Sequence, residues 1–166
     1  MEINLRKAVL TDVQDIAQIH VNSWKSAFDG LMPADYINGF TISSRIEEWR
    51  NTISTSAESV VVAESGNKVV GFMSYFVHPE NAETIELSKL YLCPSVYGQR
   101  LGSKFIAHLD QESQALEAKN INLYVLDNNK SAITFYSKHG FEFADGFMSE
   151  EFEGSVIIDL LMIKRV

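Results

Sequence analysis

One cysteine, three prolines and a shortage of basic residues mark this 166-residue sequence by what it lacks. The lone Cys93 excludes an internal disulfide and a multi-cysteine zinc site. His20, His78, His108 and His139 show no close ligand spacing, so no metal is expected. No run of about eighteen apolar residues occurs, and the N-terminal Met-Glu-Ile-Asn-Leu-Arg-Lys lacks an apolar export segment; the chain therefore reads as cytoplasmic, with no membrane contact. Without secretion the Asn129-Lys130-Ser131 sequon carries no meaning. Lys and Arg number 14 against 22 Asp and Glu, a formal charge of -8, which repels nucleic acid and anionic lipid and suits a small cationic substrate.

What is present is a chain 46% hydrophobic, long enough for one sizeable core, with no repeat, linker or low-complexity tract. Residues 1–166 are read as a single domain. Ile3 to Ala8 reads as a strand, Thr11 to Gln14 as a capping box opening a helix to about Ala27, and Ala34 to Phe40 and Ser44 to Ile53 as further helix. Ser59 to Glu64 and Lys68 to Val77 flank Gly66-Asn67 as a hairpin. A strand from Ile85 stops at Cys93-Pro94, and a helix from Ser103 to Ala118 follows a glycine-bearing loop. Ile121 to Leu126 is a strand, Asn128 or Asn129 caps a helix to about Lys138, and Gly140 ends it. Phe141 to Ala144 and Val156 to Ile163 read as closing strands, with Asp145 to Gly154 an acidic loop between them. Helices interleaved with strands predict a mixed α/β (α+β) fold.

Two segments carry chemistry. The strand Leu90-Tyr91-Leu92 runs through a tight turn, Tyr97-Gly98-Gln99-Arg100-Leu101-Gly102-Ser103, into a helix whose first amides and dipole suit a phosphate. The second segment, Asn129-x-x-Ala132-x-x-Phe135-Tyr136-x-x-x-Gly140-Phe141, follows a strand. It resembles the second coenzyme A motif of the GNAT superfamily of acetyltransferases, and every diagnostic position matches. The first segment is similar to the family's pyrophosphate motif in spacing, with Tyr97 in place of Gln or Arg and Arg100 in place of the first Gly. A left-handed backbone at Arg100 would cost about 1 to 2 kcal/mol.

The resemblance implies a mainly antiparallel, splayed sheet with helices on both faces, open between the strands ending near Leu92 and Leu126. It implies acetyl-coenzyme A as acyl donor, a primary amine as acceptor and a possible homodimer. Leu90, Tyr91 and Leu92 would lend backbone groups to the pantetheine arm, with the Leu92 amide polarising the acetyl carbonyl. Gly98, Gln99, Arg100, Leu101, Gly102 and Ser103 would cradle the pyrophosphate, and Asn129 and Tyr136 would flank the cofactor. Tyr136 is then the proton donor to the leaving thiolate, and Glu86 the carboxylate that deprotonates the amine. Trp24, Phe28 and Tyr36 would wall the acceptor pocket, while His20 and His139 read as structural or exposed. Direct transfer is favoured over a Cys93 acyl-enzyme, because no His or Asp partner for the thiol is evident. Among acceptors a polyamine suits the charge best, with Asp145, Glu150, Glu151 and Glu153 in one segment; an amino sugar, an amino acid or a protein N-terminus fits the same chemistry. The alternative is a non-catalytic module that binds coenzyme A as a sensor or interaction protein.

Overall fold

The computed structural model describes residues 2–166. Its strands and helices follow in the order β1 (Ile3–Lys7), α1 (Val13–Ala27), α2 (Ala34–Asn38), α3 (Ile42–Thr55), β2 (Ser59–Ser65), β3 (Lys68–Val77), β4 (Thr84–Leu92), α4 (Leu101–Ala115), β5 (Asn120–Leu126), α5 (Lys130–Lys138), β6 (Glu142–Phe152) and β7 (Ser155–Arg165). The seven strands form one sheet in the order β1-β2-β3-β4-β5-β7-β6, antiparallel except where β4 meets β5.

Both faces of the sheet are covered, which explains why Val60, Val61, Val62 and Ala63 form an unbroken apolar run. Val60 and Val62 point to one face with Phe72, against Ile16 and Ala17 of α1 and Trp49 of α3. Val61 and Ala63 point to the other with Met73, against Phe105, Ile106 and Leu109 of α4. No helix among the described residues is long and apolar enough to cross a membrane.

The feature that makes a site is where β4 and β5 part. They pair in parallel only over Thr84, Ile85 and Glu86 against Asn120, Ile121 and Asn122. Beyond Glu86, β4 keeps its bonds to β3 alone, and the register skips from Ser74↔Lys89 to Tyr75↔Leu87, leaving Ser88 as an extra residue. Such a bulge bends and twists the strand that carries it. Here it accompanies the opening of a wedge between Leu87–Leu92 and Leu123–Leu126, the predicted splay.

Local structure departs from the sequence reading in four places. The acidic segment 145–154 is not a loop: it belongs to β6, paired with β7 through a two-residue turn at Glu153 and Gly154, both with positive φ. Its charges and its bulge at Gly146 (φ 141) are what an edge strand tolerates. No side chain caps α1: Thr11 lies in a 3-10 turn, Leu10–Asp12, that precedes it, and the Asp12 carboxylate accepts the Val9 amide at 2.8 Å at the start of that turn. Helix α3 begins at Ile42 behind Thr41, whose hydroxyl accepts the Ser44 amide at 3.2 Å. Helix α4 runs from Leu101 to Ala115, two residues earlier at its start and three earlier at its end than the period of its apolar residues indicated.

Candidate active site

The wedge opens into a cavity of about 1020 Å³. It gathers Glu86, Leu90, Tyr91, Leu92, Gly98, Arg100, Leu101, Gly102, Ser103, Asn129 and Tyr136, every site residue expected from the sequence except Gln99. The Gln99 side chain instead turns back to the Ser95 carbonyl at 3.3 Å.

One half of the cavity is built from main chain. Leu90 and Leu92 pack toward the α4 and α5 core, leaving their backbone at the wedge because β5 no longer pairs with it. Past Pro94 a short 3-10 turn leads to Gly98 (φ 79) and Arg100 (φ 59, ψ 25), so Arg100 does hold the left-handed conformation usually given to glycine. That backbone is what turns the chain into α4, and the helix starts without a side-chain cap. The first amides of α4 therefore have no partner within the helix and sit at its positive end, facing the cavity. Gly102 is fixed by packing: a Cβ there would lie 2.9 Å from Cζ and 3.0 Å from Cε1 of Phe135. Two coenzyme A segments that are remote in sequence thus touch, α4 resting on α5. Ser103 Oγ meets His139 Nε2 at 3.1 Å, and Asn129 caps α5 by accepting the Ala132 amide at 3.3 Å. This arrangement of free amides, a close-approach glycine and an open wedge fits a pantetheine pyrophosphate.

The other half is built from side chains. Trp24 of α1, Phe28 just past the end of that helix and Tyr36 of α2 line it as expected, with Trp24 and Tyr36 stacked at 6.1 Å. Opposite them are residues that the sequence did not mark for the site: Met148 of β6 and Ile157 and Asp159 of β7. Cross-strand pairs Met148↔Asp159 and Glu150↔Ile157 put these two residues of β6 and two of β7 on one face. The Tyr36 hydroxyl donates to Glu150 Oε2 at 2.7 Å, tying α2 to the β6 edge. Burial and that bond push the Tyr36 phenol up to about 12.

Electrostatics separate the groups by role. Burial raises the Glu86 carboxyl above its ordinary range; Glu58 adds to the rise, and His78 and Lys89 oppose it. Asp159 is raised likewise, first by burial and then by Asp127 and Glu150. Tyr136 opens to the cavity yet is enclosed by protein, beside Phe135 at 5.3 Å and Phe141 at 5.6 Å, and burial drives its phenol upward. It is therefore held protonated, as a proton donor must be. His20, expected to be structural or exposed, is wholly buried, and desolvation together with Arg45 and Lys89 lowers it to about 2. No group of three or more His, Cys, Asp or Glu side chains among the described residues could hold a metal ion.

The model of the acetyltransferase (GNAT) domain matches residues 56–143, more than half of the chain and spanning the wedge from β2 to the start of β6. The chain belongs to the GNAT acetyltransferase family. Among its relatives, this acetyltransferase is 28% identical over 140 residues to the uncharacterized N-acetyltransferase YuaI of Bacillus subtilis, covering 82% of this chain and 79% of that one. It is 24% identical over 150 residues to the spermidine N(1)-acetyltransferase of Thermoplasma acidophilum, covering 87% and 91%. The fold superimposes on that of PaiA N-acetyltransferase from Thermoplasma acidophilum, solved in complex with coenzyme A, with a TM-score of 0.83 and 23% identity over 100% of both chains.

Proposed function

We propose that this GNAT acetyltransferase moves the acetyl group of acetyl-coenzyme A directly to a primary amine, and that its acceptor is a small polycation such as a polyamine. The observation that carries the acceptor class is the charge of the side-chain half. Glu86, Glu150 and Asp159 line it; Lys89 is held 3.8 Å from Glu58 and over the Trp49 ring at 5.2 Å, and the other cations of the cavity lining, Arg100 and Lys138, belong to the turn before α4 and to α5. A carboxylate-bearing acceptor would meet like charge there; a diamine would not. The spermidine N(1)-acetyltransferase relative and the coenzyme A-bound structural neighbour agree with this reading.

In the proposed reaction Gly98, Gln99, Arg100, Leu101, Gly102 and Ser103 hold the pyrophosphate, with Asn129 on the far side. The Leu90 to Leu92 backbone holds the pantetheine arm, and the Leu92 amide stabilises the oxyanion. The acceptor enters as an ammonium and loses one proton to Glu86, directly or through water. Its nitrogen then attacks the acetyl carbonyl, the C–N bond forms and the C–S bond breaks. Tyr136 gives its proton to the departing thiolate and is reprotonated by the proton that the nitrogen sheds. A raised Glu86 suits a base that must take a proton from an ammonium near neutral pH.

The test is turnover. Thiol release from acetyl-coenzyme A is followed with spermidine, putrescine, lysine and an alanine-terminated peptide. Faster release with the first two supports the acceptor class; equal or greater release with lysine or the peptide moves the acceptor elsewhere. Release with none removes the reading.

A further inference from the structure

Tyr91 stands between Leu90 and Leu92, yet its side chain leaves the cofactor wall. It packs with the α1 and α3 core, on the face of the sheet that borders the acceptor half. There it is fixed from several sides. Trp24 Nε1 donates to the Tyr91 hydroxyl oxygen at 3.0 Å. The His20 ring stacks on it at 5.3 Å and 24°, and Phe72 meets it edge-on at 5.8 Å. His20 is held in turn by Trp49, whose Nε1 donates to His20 Nδ1 at 3.0 Å, so the imidazole proton sits on Nε2, a buried nitrogen with no partner. Trp24, His20 and Phe72 thus fix the Tyr91 ring and hydroxyl, with Trp49 fixing His20 from behind, where an apolar ring would fill the same space.

A phenol oxygen accepts two hydrogen bonds and donates one. Trp24 fills a single acceptor position, so the hydroxyl keeps capacity for a further partner, and Tyr91 and Trp24 both line the cavity. An amine poised to attack has its lone pair aimed at the acetyl carbon, so it can offer the wall only N–H donors. The wall must answer with acceptors. Tyr91 is also close enough to Tyr136 to disfavour ionisation of the Tyr136 phenol, and both residues line the one cavity.

We infer that the Tyr91 hydroxyl is a catalytic group of the acceptor half, accepting an N–H hydrogen bond from the attacking amine, with Trp24 as its positioning residue. The inference rests on the acetyltransfer reading above. It adds to that reading a role for the Tyr91 side chain toward the acceptor, beside the backbone that the residue lends to the cofactor.

Steady-state kinetics with acetyl-coenzyme A and spermidine on the wild type, Tyr91→Phe, Trp24→Phe and the double variant test it. Tyr91→Phe lowers kcat/KM for spermidine roughly tenfold, the worth of one neutral hydrogen bond. KM for acetyl-coenzyme A and the melting shift that it causes stay unchanged. Trp24→Phe gives a smaller loss, and none further in the Tyr91→Phe background. A lowered melting point with unaltered kcat/KM would mean that the hydroxyl only satisfies Trp24, and a raised KM for acetyl-coenzyme A would return Tyr91 to the cofactor; either overturns the inference. If Tyr91→Phe does not fold, Trp24→Phe decides, since wild-type kcat/KM there contradicts a positioning role. A wild type that acetylates no amine takes the transferase reading and this inference down together, unlike an active wild type indifferent to Tyr91→Phe.

Discussion

The two halves of the cavity are made of different material. The cofactor half consists of main-chain groups on one continuous stretch, β4 through the turn to α4, braced by α5. The acceptor half consists of side chains from α1, α2, β4, β6 and β7, brought together only by the fold. Backbone amides are the same in any sequence, so the first half depends on backbone shape and close approach; with Tyr97 and Arg100 at altered positions, Gly98 and the left-handed Arg100 still turn the chain into α4. Side-chain identity decides the second half, and with it the acceptor.

Loss of Tyr136, which serves both halves, breaks the comparison most sharply. Tyr136→Phe removes the proposed proton donor while keeping the ring that packs on Phe135 and Phe141. Its kcat is expected to fall by about 10² or more, with the melting shift on adding acetyl-coenzyme A retained.

The core behind the acceptor half carries the deeper acid liability, although His139 on the cofactor side is also lowered, by burial and Lys164. His20 is lowered to about 2 in the folded chain against an ordinary value of 6.5, so the unfolded chain binds a proton that the folded one refuses. Its contribution is complete above about pH 6.5 and is lost as pH falls, by about 1.4 kcal/mol per unit. The raised carboxyls of Glu86 and Asp159 act with the opposite sign, favouring the folded state as they become protonated. Chemical denaturation from pH 7 to pH 5 should therefore show a shallower acid loss in His20→Gln than in the wild type, with equal slopes contradicting the buried neutral imidazole.

Gly102→Ala sharpens the comparison from the cofactor side. The added Cβ meets the Phe135 ring at 2.9 Å, and relieving that contact costs about 1 to 3 kcal/mol while shifting the first turn of α4 off α5. The melting point falls, and KM rises for acetyl-coenzyme A but not for the amine.

This division explains what could be read from the sequence. The order of strands and helices, the splay and the cofactor half were legible because glycines, a strand terminator and an Asn-to-Phe motif lie at fixed spacings along short segments. Trp24, Phe28 and Tyr36 were legible only as aromatics on early helices. Asp159 was not, since an acid in an apolar closing strand acquires meaning only when Met148 and Glu150 of β6 are seen beside it. The part of β6 from Asp145 onward read as a loop because an edge strand needs no buried alternation, and its acids, Gly146 and exposed face imitate loop composition. Tyr91 was assigned by its neighbours on the strand, whose side chains point the other way.

The most direct test of this division of labour is a steady-state matrix in which acetyl-coenzyme A and spermidine are varied for the wild type, Gly102→Ala and Asp159→Asn. The account predicts that Gly102→Ala raises KM for acetyl-coenzyme A alone, and that Asp159→Asn raises KM for spermidine alone, by roughly tenfold, the scale of one charge-assisted hydrogen bond. Variants that each raise both constants, or an Asp159→Asn enzyme with unchanged spermidine kinetics, would contradict it.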